Sequence, residues 1–322
     1  MNPLRRASLV AGCGLALSPL AFAQAAPFPS RPVRLVVPAA PGGSADKNSR
    51  ALSDRLSELW KQPVIADYKP GANTIIGSDH VARSAPDGHT LLVNSAALAV
   101  NPGIYPKLPY DTLQDLVAVT MISTAPFALV VHPEVPARDI QAFLALAREK
   151  PAALSFGTAE SRALLAGHQF NLAAGTRLQS VPFKGAGALM NDLVAGHVPV
   201  AFSALSSVQA QVAAGRLRLL GVATRAPSPL APQATALAAA AVPGFEAESW
   251  FGLFAPRGTP PALAARLRQD VAAVLREREV AARFEAMGAQ PVGDEPQAFA
   301  ARVRADVEMA TRVARAANIQ PE

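Results

Sequence analysis

The chain has 322 residues, with 30 Lys and Arg against 24 Asp and Glu, a net charge of +6 and a single cysteine. One cysteine excludes an internal disulfide and a cysteine-built metal cluster. The basic residues are spread along the chain without interleaved aromatics, so nucleic acid is not an expected partner, whereas attraction of small anions is.

At the N-terminus, Arg5 and Arg6 precede an apolar run over 7–22, and Ala21-Phe22-Ala23 or Ala23-Gln24-Ala25 supplies a small-x-small cleavage pattern. Residues 1–25 are therefore expected to be an export signal, which makes the mature chain periplasmic. Val10-Ala11-Gly12-Cys13 is similar to a lipid-attachment box, but the hydrophobic run continues beyond Cys13, so plain cleavage near Ala23 or Ala25 is preferred over acylation. Cleavage also removes the only thiol. No later stretch approaches the roughly 20 apolar residues of a membrane span.

The first strand is predicted over 33–37, where Val33, Leu35, Val36 and Val37 lead into Pro41-Gly42-Gly43. Ser44 or Asp46 can cap the helix that follows, with Leu52, Leu56, Leu59 and Trp60 on its apolar face. Such a junction aims bare N–H groups and the positive end of a helix dipole at whatever lies above it, which suits a carboxylate or phosphate. An ordinary β-to-α turn has the same signature. Strands are expected next over 64–66 and 90–93 with a helix over 75–84 between them, then a strand over 127–131 and a helix carrying Ile140, Leu144 and Ala147. Further strands are predicted over 154–157, 199–203 and 217–224, with a helix over 186–195, and a returning strand over 250–255. The C-terminal part reads as two helices. Thr259-Pro260-Pro261 opens the first, whose stripe is Leu263, Leu267, Val271 and Val274 and whose end is marked by Gly288. Asp294 opens the second, carrying Phe299, Val303 and Val307. Alternating strands and helices predict parallel α/β sheets, and the length predicts two lobes.

Enzyme signatures are absent from the pattern. His80, His89, His132, His168 and His197 are scattered without metal-ligand spacing, and there is no G-x-S-x-G elbow, phosphate loop or complete G-x-G-x-x-G fingerprint. No cofactor and no metal are expected.

A series of short motifs carries a resemblance. Phe28-Pro29-Ser30-Arg31-Pro32, PGGSAD at 41–46, Pro70-Gly71-Ala72 leading to Ile76-Gly77, Ala85-Pro86-Asp87-Gly88-His89-Thr90-Leu91-Leu92, Asn101-Pro102, Leu108-Pro109-Tyr110-Asp111, Val131-His132-Pro133, Val181-Pro182-Phe183-Lys184-Gly185, Ala213-Ala214-Gly215-Arg216-Leu217-Arg218 and Ser249-Trp250-Phe251-Gly252 occur in that order. Together they resemble the Bug family, the extracytoplasmic solute receptors of tripartite tricarboxylate transporters, from Phe28 to about Ile319.

The resemblance implies a two-lobed periplasmic-binding-protein fold, each lobe a mostly parallel sheet flanked by helices, that closes by a hinge over a small carboxylate without catalysing a reaction. The implied lobes are 27–128 with 251–322, and 129–250 between them. It implies ligand-binding loops at Gly42, Gly43, Ser44, Ala45 and Asp46 and at Asn94, Ser95 and Ala96. Opposite them it implies Thr158, Ala159, Glu160 and Ser161, then Lys184, Gly185 and Ala186, and finally Ser203. All follow the carboxyl ends of predicted strands, where open α/β sheets bind ligands. The implied partners of a monomeric receptor are the permease subunits of such a transporter or a sensor kinase; a secreted α/β enzyme acting on a small carboxylate is the alternative of another class. Two departures from the family pattern bear on the solute. The loop Gly157-Thr158-Ala159-Glu160-Ser161-Arg162 is shorter than the family's and charged, so that Glu160 either enters the cleft and repels a second carboxylate or pairs with Arg162 and faces water. Ser203 stands where the family usually places an Asp, which weakens recognition of an amino or hydroxyl group there.

Overall fold

The computed structural model describes residues 28–150 and 154–319; the expected export signal, with Cys13 and both cleavage patterns, lies outside them. The chain alternates strand and helix as β1 (Val33–Val37), α1 (Ser44–Trp60), β2 (Val64–Tyr68), α2 (Ile75–Ala82), β3 (Thr90–Ser95), α3 (Ala97–Ile104) and β4 (Leu116–Val131). It continues as α4 (Ile140–Glu149), β5 (Ser155–Thr158), α5 (Ser161–Ala174), β6 (Gln179–Pro182), α6 (Ala186–Val194), β7 (Val200–Ala204), α7 (Leu205–Ala213) and β8 (Arg218–Val222). The last elements are α8 (Leu237–Ala240), β9 (Glu248–Pro256), α9 (Pro261–Leu275), α10 (Arg278–Ala286), β10 (Gln290–Pro291) and α11 (Pro296–Ala316).

The strands run β2-β1-β3-β9-β4-β7-β5-β6, with β8 and β10 also on β4. Parallel pairs β1·β2 and β1·β3 stand at one end and β5·β6 and β5·β7 at the other. Between them β9 is antiparallel to β3 and to β4. The parallel expectation thus holds for the flanks, while the centre is antiparallel. β4 is the joint: it pairs with β9 from Leu116 to Pro126 and with β7 from Phe127 to Val131. Two register shifts, between Ala118 and Thr120 and between Met121 and Ser123, bend it on the way. Only 127–131 is legible as strand in the sequence, because Thr120, Ser123, Thr124 and Pro126 break the apolar run before it.

Each sheet is covered on both faces, as buried parallel strands require. Under the first sheet, Val33, Leu35, Leu52, Leu56, Leu267 and Val271 form one core, and Val36, Leu92, Trp250, Phe254 and Phe299 form the core on the other face. The second sheet carries a phenylalanine cluster. Phe170 and Phe202 have ring centroids 5.1 Å apart, and Phe156 and Phe245 meet them edge-on. A smaller core ties the two sheets' helices together, with Leu165 of α5 packed on Val100 and Ile104 of α3 and on Ala310 and Val313 of α11.

Two helix expectations are corrected. Leu59, read as part of the α1 stripe, is 50% exposed, because the stripe turns away after Leu56 and ends on Trp60, whose indole N–H donates to Asp270 at 2.7 Å. The stretch from Pro261 to Gly288 is two helices, α9 and α10, broken at Glu277, whose extended backbone stops the first and caps the second.

Candidate functional site

A cavity of about 570 Å³ lies between the two sheets, and it is built mainly from strand ends and helix starts. Ser44 and Ala45 open α1 on one side; Glu160 precedes α5, Ala186 opens α6, and Ala204, Ser206 and Ser207 belong to the start of α7 on the other. None of these four helices has a side chain capping its first turn. Their first N–H groups have no partner within the helix and carry the positive ends of four dipoles. An anion placed among them finds donors without displacing a protein acceptor.

Beneath this ring is a neutral hydroxyl and amide floor. Ser123 of β4 donates to Asn48 Oδ1 at 2.6 Å, and Asn48 Nδ2 donates to the Ser44 carbonyl at 2.8 Å, so the first turn of α1 is pinned to the joint strand. Asn94 donates to Thr74 and Ser78 at 3.2 and 3.0 Å and accepts from the Ser95 N–H at 2.7 Å. Its place on the wall is therefore fixed by the first sheet's own polar groups. Such satisfied buried amides hold their geometry without a ligand.

Of the residues expected to bind, Ser44, Ala45, Asn94, Ser95, Ala159, Glu160, Ala186 and Ser203 line the cavity. Gly42, Gly43, Asp46, Ala96, Thr158, Ser161, Lys184 and Gly185 are not among its walls. The reasons are local. Asp46 is turned back under the PGGSAD loop, where its carboxylate accepts from the Gly42 N–H at 2.7 Å, Arg50 Nε at 2.7 Å and the Tyr68 hydroxyl at 2.6 Å. Burial opposes its ionisation, but these hydrogen bonds from Tyr68, Gly42 and Arg50 outweigh it and hold the carboxyl below its usual range. Gly42 has φ +89°, a conformation glycine adopts without strain, whereas Gly43 has ordinary extended backbone, and a built Cβ there would make only an ordinary contact with the Ala40 carbonyl oxygen at 3.8 Å. Ala96 and Thr158 are buried behind the surface, Lys184 is exposed outside it, and Ser161 accepts from Asn73.

Sequence reasoning missed Asn73 and Thr74 on the loop before α2, Thr124 in the middle of β4, and Ser249 and Phe251 of β9. For Thr124 and Ser249 the signal was present as polar residues interrupting otherwise apolar strands; Asn73, Thr74 and Phe251 carried none. Among the described residues no three His, Cys, Asp or Glu side chains converge as a metal site, and no helix is long and apolar enough to cross a membrane.

Known proteins with this arrangement can be named. The family model for the tripartite tricarboxylate transporter family receptor, TctC, matches residues 49–319. A protein encoded between tcbD and tcbE in Pseudomonas sp. strain P51 is 37% identical over 289 residues, covering 87% of this chain and 84% of the relative. Protein BugT of Bordetella pertussis is 34% identical over 269 residues, 82% of each chain. The solved structure of R. palustris Rpa4515 with adipate is 31% identical, has a TM-score of 0.81, and covers 92% of this chain and all of that one. The fold is thus that of the two-lobed periplasmic solute-binding proteins, and the chain belongs to the tripartite tricarboxylate transporter receptor family, TctC, whose relatives include the Bug proteins.

Proposed function

We propose that this protein is a periplasmic receptor that captures a small carboxylate between its sheets and presents it to the membrane subunits of a tripartite tricarboxylate transporter. The observation that carries the reading is the convergence of four uncapped helix starts on one cavity between the sheets. Adipate in the R. palustris relative is a solute of the same class. Family membership supports the transporter as the partner, in preference to a sensor kinase alone.

Capture would proceed by hinge closure. β4 passes from the first sheet into the second and the chain rejoins the first sheet at β9, so the lobes are taken as 27–128 with 251–322, and 129–250. A solute that touches α1 and α6 at once gains its full set of contacts only when the lobes are together, and so shifts the population toward the closed form. The permease would read that shape.

Native mass spectrometry of gently purified protein, followed by calorimetry with the carboxylates recovered, tests the reading. The expected result is saturable binding, compaction in small-angle scattering and recovery of the solute unchanged. Formation of a product, or failure of every carboxylate to bind, overturns it.

A further inference from the structure

Two charged side chains line the cavity, Lys47 on the first turn of α1 and Glu160 at the start of α5, and the rest of its lining is neutral. Neither side chain makes a hydrogen bond or an ion pair with the protein among the described residues. Both side chains therefore stand at the cavity without a hydrogen-bonding or ion-pairing partner among the described residues. We propose, building on the carboxylate-receptor reading, that the solute is a small ammonium carboxylate, its carboxylate held at the α1 start beside Lys47 and its ammonium paired with Glu160.

The nearest cation to consider is Arg162, which could have neutralised Glu160. It does not, because its guanidinium lies over the Phe127 ring at 5.5 Å and its Nε donates to the Glu248 carbonyl at 3.3 Å, on the side away from the cavity. Arg162 is 3% exposed, so it is also unavailable to a solute. Glu160 itself remains in contact with solvent in the open cleft yet is surrounded by protein from both sheets. Burial pushes its carboxyl above the ordinary glutamate value, with Arg162 opposing only in part, so it is a cation bound beside it that would favour the ionised form.

A carboxylate in that position repels a second carboxylate and welcomes a cation. When the cleft closes and water leaves, both effects grow, since charges interact more strongly in a lower dielectric. An ammonium group donates a charge-assisted hydrogen bond to Glu160, whereas a dicarboxylate has to protonate one end or leave two like charges facing each other. An ordinary solvated surface glutamate would carry no such preference, and this is the reading the experiment sets aside or restores.

The test uses matched pairs of equal carbon count, succinate against γ-aminobutyrate and adipate against ε-aminocaproate, titrated calorimetrically into the wild-type protein and into Glu160→Gln. The side chain of Glu160 makes no bond that the amide would break, so the variant is expected to fold normally. In the wild type the ammonium member of a pair is expected to bind about tenfold more tightly or better, and in Glu160→Gln that ratio is expected to fall by about tenfold. Dicarboxylates that bind equally well to both proteins and outcompete their ammonium partners overturn the inference and leave the carboxylate receptor standing. If no member of either series binds the wild type, the inference falls together with the reading on which it rests.

Discussion

Asn73 Nδ2 donates to Ser161 Oγ at 2.8 Å, and this single bond joins the loop before α2, on the first sheet's side, to the first residue of α5 on the second's. The loop that makes it is unusual. Ala72, Asn73 and Thr74 all have positive φ, at 45°, 47° and 73°, and none is glycine. Asn101 holds the turn by donating to the Asn73 carbonyl at 2.9 Å and accepting from Asn73 Nδ2 at 2.7 Å. Asparagine tolerates this conformation better than most residues.

Asn73→Ala is therefore expected to cost about 2 kcal/mol, because it removes two side-chain bonds and puts a poorer residue in the left-handed region. Ser161→Ala, which loses only one acceptor, should cost about 1 kcal/mol or less. Urea denaturation of both variants checks the order; equal losses would mean that the backbone conformation contributes nothing.

Asp46 gives the receptor a defined acid dependence. Its pKa is lower folded than in an unfolded chain, so its contribution to stability is complete above the unfolded value and is lost as pH falls through the folded one. Asp46→Asn should then destabilise the protein by about 1–2 kcal/mol at neutral pH, and by less once the wild-type carboxyl is itself protonated. Thermal denaturation of both proteins from pH 7 down to pH 3 reads this out, and a gap that stays constant or widens on acidification contradicts it.

Gly103 of α3 lies against the backbone of α11. A Cβ built there would stand 2.7 Å from the Ala310 carbonyl carbon and 2.8 Å from Thr311 N, both backbone atoms that cannot swing aside. Gly103→Ala is expected to cost about 2–3 kcal/mol by forcing the helices apart, despite alanine's better helix propensity. The check is a lowered melting temperature with faster amide exchange along α11; an unchanged or raised melting temperature would show that the pair can separate freely.

The sequence made much of the parallel flanks legible because β1, β3 and β7 carry apolar runs that begin close behind a glycine or proline, whereas β6, Gln179–Pro182, is too short and polar to read as a strand. It hid the joint between them. β4 carries Ser123 and Thr124 inward to the cavity and Pro126 at the point where its partner changes from β9 to β7, so it breaks the periodicity that defines a strand. Half of the expected site residues reach the cavity for the same reason that half do not: position at the end of a strand is readable, but which way a side chain turns depends on partners distant in sequence. Asp46 turns toward Tyr68, and Ser161 toward Asn73. Trp250, on the returning strand, is likewise fixed by distant partners: it is fully buried, with its indole N–H on Asp306 at 2.7 Å and its ring edge-on to Phe299 at 5.3 Å.

The two arginines around Asp306 make a last prediction, since they share the same neighbours but not the same bonds. Arg302 pairs directly with Glu248 at 2.7 Å and with Asp306 at 3.1 Å. Arg162 is more deeply buried yet has only the long bond to the Glu248 carbonyl, and its Nη1 has no partner among the described residues. Burial lowers its pKa despite the attraction of Asp306, whereas the two carboxylates outweigh burial for Arg302 and raise it. Removing Arg162 takes away a charge that gains little from its surroundings and leaves both carboxylates paired. Removing Arg302 takes the ion pair from Glu248 and leaves Asp306 with only the Trp250 indole N–H among the described residues. Arg162→Met is accordingly expected to change stability by no more than about 1 kcal/mol, while Arg302→Met should cost about 2 kcal/mol, the smaller end of the range for a broken buried pair because Arg302 keeps 30% exposure. Denaturant titration of the two variants decides it: a larger loss at Arg162 would make that buried charge, and not the Arg302 pairs, the principal support of the carboxylates beside β9.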